Sequence, residues 1–304
     1  MKRVFAYSWL LTVCILSMAG SIPCFSEEKS TVNSTSAREH SAGLKCYNEG
    51  NYGEAIAHFE QAYELDNRNN AALFSQGLCL SKLRRYREAA EQLSLVLKQN
   101  PNNEKALKMY PSMLAMAGET EKALSAFDAG IEAFPDDYYL YWTKARFYLQ
   151  LGEYETAIPL HYSALEKDTG QTDVYKTLGY AYRQLKRYAD ALTQYDKAIE
   201  LKPDDIELLY LRTQTLMDLG RADEAYEAAL KVLARNGDHA RARLIVADYQ
   251  RNAGHLAQAL EEYERAARNI ETKAYAEYYL GIIRERLEDI EIEKEWEIHK
   301  QLKK

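Results

Sequence analysis

The sequence predicts an all-α fold, a right-handed superhelical solenoid of stacked helix–turn–helix hairpins. Three observations carry that expectation. Alanine recurs at Ala55, Ala89, Ala123, Ala157, Ala191, Ala225 and Ala259, every 34 residues without a slip. A period in this range marks a solenoid. With Ala55 set at phase 20, glycine recurs at phase 8 (Gly43, Gly77, Gly179, Gly281) and phase 15 (Gly50, Gly118, Gly152, Gly220, Gly254). Aromatic and apolar residues fill phase 17 (Tyr52, Tyr86, Tyr154, Tyr188) and phase 24 (Phe59, Leu93, Phe127, Tyr195, Tyr263).

Each column has a physical reason. Small residues at phases 8 and 20 let two helix axes approach where they cross. Glycine at phase 15 suits the left-handed residue that ends the first helix. The large side chains at phases 17 and 24 fill the space between the helices. Pro101, Pro135 and Pro203 at phase 32 stop the second helix before the next unit. A single hairpin cannot bury its apolar face, so neighbours must stack. This pattern resembles the tetratricopeptide repeat family over seven units: 36–69, 70–103, 104–137, 138–171, 172–205, 206–239 and 240–273.

Residues 1–26 read as a secretory signal. Met1-Lys2-Arg3 is basic, Val4–Ala19 is largely apolar, and small residues follow. Retention as an anchor and lipidation at Cys24 are the alternatives. Residues 27–35 are polar and aperiodic, and are expected to form a flexible leader. Removing the signal lowers the basic count from 39 to 37 against 46 acidic residues, a formal charge of −9. An acidic chain without a basic run argues against nucleic acid or an anionic membrane as partner.

Units one and two are regular. In unit three Pro111 falls inside the first helix, which should kink or start late. Pro159 lies early in the second helix of unit four, where a bend is milder. Unit five is nearest the family pattern, and units six and seven are looser. After Lys273 a degenerate eighth unit, 274–304, keeps Leu280-Gly281 in phase but lacks the turn glycine and the alanine. Capping helices are expected there, with Trp296 as the residue that would suit a dimerising or partner-binding helix. Cys46 and Cys79 lie on neighbouring first helices, either as buried thiols or as a disulfide.

No catalytic or metal arrangement is visible. No two histidines have the i, i+4 spacing of a helical zinc site, and there is no Cys-x-x-Cys, phosphate loop or Gly-x-Ser-x-Gly elbow. The chain therefore reads as non-catalytic and without a cofactor or metal. The resemblance implies that binding uses a concave groove lined by the first helices at phases 2, 5, 9, 12 and 13. Those phases hold Lys105, Lys108, Tyr139, Trp142, Arg146, Lys176, Tyr180, Arg183 and Tyr210. The middle of that row is aromatic and mostly basic, suited to an acidic peptide or a carboxyl terminus. Some family members clamp a chaperone's terminal carboxylate with Lys at phase 5 and Asn at phase 9. Here phase 9 holds Ser112 and Tyr180, so that clamp is not reproduced. The expected function is an exported scaffold or adaptor of the cell envelope, periplasmic or secreted, that grips an extended segment of a partner protein. The alternative is a glycan binder stacking sugars on Tyr139, Trp142, Tyr180 and Tyr210.

Overall fold

A computed structural model describes residues 25–302. The expected signal falls almost wholly outside them. Among the described residues there are fifteen α-helices and no strand. The chain divides after Pro135 into two compact units. The first holds α1 (Phe25–Asn48), α2 (Tyr52–Leu65), α3 (Asn70–Lys82), α4 (Tyr86–Gln99), α5 (Glu104–Met116) and α6 (Thr120–Ala133). The second holds α7 (Tyr138–Gln150), α8 (Tyr154–Lys167), α9 (Thr172–Gln184), α10 (Tyr188–Leu201), α11 (Ile206–Asp218), α12 (Ala222–Arg235), α13 (Ala240–Asn252), α14 (Leu256–Ala266) and α15 (Ile270–Leu302). Within each unit, successive helices pack against one another.

The starting residues of α3, α5, α7, α9, α11 and α13 are 34 residues apart, and so are those of the second helices from α2 to α14. Most first helices are capped by the side chain just before them. Asn69 accepts from the Ala72 N–H, Asn103 from Ala106, and Asp205 from both Glu207 and Leu208. Such caps satisfy amides that have no partner inside the helix. The phase-15 residue ends each first helix in the left-handed region. Five are glycines, with φ between +72° and +83°, but Arg84 (φ 59°) and Lys186 (φ 57°) hold the same conformation.

The seven phase-20 alanines are fully buried. Across from them, Phe59, Phe127, Tyr195 and Tyr263 are also fully buried. Each such burial stabilises by about 1.5–3 kcal/mol. The phase-8 glycines show why a side chain is missing there. A Cβ on Gly179 would lie 2.7 Å from the Tyr195 ring, and one on Gly43 would lie 2.6 Å from Phe59.

Several expectations need correction. The leader at 27–35 is part of α1. Once the first repeat nucleates a helix, propagation towards the N-terminus adds a hydrogen bond per residue, and Glu27 and Glu28 favour the start. Pro111 does not delay its helix, because α5 starts at Glu104 in phase with the other first helices. Of the two alternatives for Cys46 and Cys79, by contrast, the free-thiol one holds. Burial pushes the Cys79 thiol up to about 11. The eighth unit is one 33-residue helix, α15, not a helical pair. It continues because Glu288, not glycine, stands at phase 15, so nothing there favours the turn. The side chains of Ile292, Trp296 and Ile298 lie outside the described residues.

Candidate functional site

Lys105 and Lys108 sit on α5 of the first unit. Lys105 is exposed, and Lys108 pairs with Glu104 one turn earlier, at 2.6 Å. The other seven expected residues lie on α7, α9 and α11 of the second unit.

At the start of that row, α7 places Tyr139, Trp142 and Arg146 along one face, at i, i+3 and i+7, so that each neighbours the next. The Tyr139 and Trp142 rings meet edge to face, with centroids 5.7 Å apart. The Arg146 guanidinium lies 4.9 Å from the Trp142 ring centre, a cation–π contact. Tyr180 on α9 is 42% exposed and meets Tyr154 edge to face at 6.4 Å.

The Trp142 indole is tied down from behind. Its Nε1–H donates to Thr177 Oγ1 at 3.0 Å, and that oxygen lies 2.9 Å from His161 Nε2. His161 Nδ1 lies 2.8 Å from the Ala157 carbonyl, which can only accept, so Nδ1 carries the proton. Nε2 is then an acceptor, and it shares the Thr177 hydroxyl hydrogen with the Asp173 carbonyl, 2.8 Å from the same oxygen. His161 is fully buried, and burial pulls its pKa down to about 4, so the ring is neutral at neutral pH. Three helices, α7, α8 and α9, thus converge on one indole.

Further along the row the basic reading fails. Lys176 pairs with Glu207 at 3.0 Å and with Asp173 at 3.7 Å. Arg183 donates to Asp218 Oδ2 through Nε at 3.0 Å and Nη2 at 2.7 Å, and through Nη1 to Gln214 at 3.3 Å. The cations are neutralised by carboxylates one repeat on, so this stretch presents no net positive field. Tyr210 is half-buried, accepts from Gln214 at 3.1 Å and packs on His239 at 4.6 Å. It serves packing more than presentation.

The sequence reading passed over Thr177 and His161. The signal existed, because His161 occupies phase 24, where the other second helices place apolar or aromatic residues. A polar ring in a packing column marks a buried hydrogen bond.

Comparison with known proteins bears on the repeats. Family models described as "Tetratricopeptide repeat" match residues 47–110 and, in a second model, 114–172 and 210–288; one described as "TPR repeat" matches 179–220. The BBSome complex member bbs-4 of Caenorhabditis elegans is 27% identical over 211 residues, covering 65% of this chain and 45% of its own. The DnaJ homolog subfamily C member 3 of Rattus norvegicus is 29% identical over 125 residues, covering 41% of this chain and 24% of its own. The chain spans less than half the length of these relatives. Among solved structures, the C-terminal part of a TPR repeat-containing protein from Cytophaga hutchinsonii superposes with a TM-score of 0.65 at 19% identity. It covers 78% of this chain and 97% of its own. YrrB, described as a TPR protein with an unusual peptide-binding site, gives 0.53 at 22% identity, covering 62% and 98%.

Proposed function

Because the chain belongs to the tetratricopeptide repeat family, we propose that it is a non-catalytic scaffold of the cell envelope. In this reading it holds an extended segment of a partner protein along the first helices of its second unit. One observation carries the proposal. Trp142 is fixed through Thr177 and His161 and flanked by Tyr139 and Arg146, so an aromatic–arginine anchor is in place before any partner arrives. Aromatic and arginine side chains dominate binding hot spots, and pre-organisation reduces the entropy lost on binding. Neutralised charges along α9 and α11 favour a mixed-polarity segment over a uniformly acidic one. Placement at the envelope rests on the basic, then apolar, N-terminal sequence.

A photo-reactive residue at Tyr180, introduced in the native host, tests the reading. A discrete protein adduct is expected, lost in Trp142→Ala and not formed from exposed Tyr162 on α8. No adduct at Tyr180, or one indifferent to Trp142→Ala, refutes it. Retention on a polysaccharide column that disappears in Trp142→Ala would establish the glycan reading instead.

A further inference from the structure

The last helix outruns the stack it belongs to. The first helices from α3 to α13 are 13 residues long, whereas α15 has 33. It packs on α13 and α14 through Ala276, Leu280 and Ile283, which are buried, with Leu287 alongside. Beyond Leu287 no side chain among the described residues is buried. Isolated helices of about 15 residues or fewer are marginal in water, so the 288–302 stretch calls for a neighbour.

The same helix leaves an aromatic face open. Tyr275, Tyr278 and Ile282 are 43%, 65% and 43% exposed and follow one another at spacings of three and four. The face is held in place from below. The Tyr275 hydroxyl donates to Asp248 on α13 at 3.0 Å, the Tyr278 ring meets Tyr279 edge to face at 5.0 Å, and Arg251 lies 3.9 Å from the centre of the Tyr279 ring. Continued along α15, the alternating spacing falls on Glu285, Asp289, Ile292, Trp296 and His299. Such a row is the seam of a coiled coil. It is apolar or aromatic towards both ends and acidic in the middle. Turned end for end about position 287, the row matches itself: 275 comes level with 299, 278 with 296, 282 with 292 and 285 with 289. Exposed Arg286 then comes level with Glu288 of the reversed copy. A parallel copy would set Arg286 against Arg286, and would bring the hairpins packed on both α15 helices to the same end.

We propose that the protein forms a two-fold homodimer through α15, whose open face receives the 288–302 stretch of a second copy running the opposite way. Tyr278 packs against Trp296 of the other copy and Ile282 against Ile292, twice over by symmetry. The arrangement is closed, so association stops at the pair. The acidic middle, Glu285 and Asp289, keeps the pair reversible and fixes its register, because any slip sets carboxylates against apolar side chains. The pairing stands apart from the peptide-holding reading, which is anchored on α7.

Sedimentation velocity of the full chain over a concentration series tests this. Wild type should pass from monomer to dimer as concentration rises. Tyr278→Glu should weaken the pair at least tenfold, because both copies lose an aromatic from the seam. Its circular dichroism should match wild type where wild type is monomeric, since Tyr278 is mostly exposed. Tyr162→Glu, at an exposed aromatic on α8, should leave the pair unchanged. Asp289→Leu should tighten it several-fold by removing charge from the seam. Cysteine cross-linking under mild oxidation reads the direction. Chains with Ile282→Cys mixed with chains with Ile292→Cys should give a disulfide-linked pair, and neither variant should do so alone beyond the wild-type background. A wild type that stays monomeric at every concentration, a dimer indifferent to Tyr278→Glu, or linkage within either variant alone overturns the proposal.

Discussion

Gly179 and Gly281 occupy the same phase, yet alanine should have opposite effects at the two. At Gly179 the new Cβ would lie 2.7, 2.9 and 3.0 Å from three atoms of the Tyr195 ring. That ring is fully buried and cannot yield without moving its helix. Overpacking of this kind costs about 1–3 kcal/mol. Replacing a helical glycine by alanine gains about 1 kcal/mol, so the net effect is a loss of about 0–2 kcal/mol. At Gly281 nothing lies within 4 Å, because α15 runs straight on and brings no second helix back across it. Only the propensity gain remains, so Gly281→Ala should stabilise by up to about 1 kcal/mol. The two variants should differ by the overpacking cost, about 1–3 kcal/mol. With a slope near 2 kcal/mol/M, their urea midpoints separate by about 1 M, read by circular dichroism. Tyr195→Leu should relieve part of the Gly179→Ala penalty. Equal destabilisation at both sites would refute the argument that helix-to-helix approach selects glycine here.

Two further outcomes follow from buried or strained groups. Lys186→Gly should raise stability by about 1 kcal/mol in urea denaturation, because a left-handed backbone costs a side-chain-bearing residue that much and costs glycine nothing; a loss would show that the lysine side chain contributes more than its backbone costs. For His161, burial lowers the folded pKa to about 4 against an ordinary 6.5. Between those values the unfolded chain binds a proton that the folded chain refuses, so stability falls as pH drops through the window, by up to about 3 kcal/mol from this group. Burial also lowers His40 and His239, so an NMR titration of the assigned His161 ring isolates its share; a midpoint near 6.5 would contradict the buried hydrogen-bond arrangement.

The fold was legible because repetition multiplies weak signals. One glycine five residues before an alanine means little, whereas seven alanines in phase leave only stacked hairpins. Arg84 and Lys186 were not legible as left-handed residues, since neither side chain prefers that conformation. Tertiary packing imposes it, and only their phase gives it away. The end of the stack was misjudged for a related reason. A continuous α15 follows from the missing turn at Glu288, and an absent breaker is a quieter signal than a present one. At the site, the phase rule named positions in the row correctly as first-helix residues. It could not show that Tyr210 turns against His239, or that Thr177 and His161 stand behind Trp142. Those depend on side-chain rotamers and on contacts between helices, which a column of letters does not carry.

The charge of the row was misjudged for a reason that the period itself explains. Residues one repeat apart lie side by side, so partners fall near 34 residues away. Lys176 pairs with Glu207 at a separation of 31, Arg183 with Asp218 at 35, Lys167 with Asp136 at 31 and Arg235 with Asp204 at 31. Trp142 bonds Thr177 at 35 by the same rule. Several cations counted alone in one repeat therefore have their neutralising carboxylate in the adjacent one. A reading confined to one unit overstates the field wherever the pairing crosses repeats in this way. Each exposed pair contributes little to stability, typically under about 1 kcal/mol. Its larger effect is on recognition, because a ligand must compete with a carboxylate already in place.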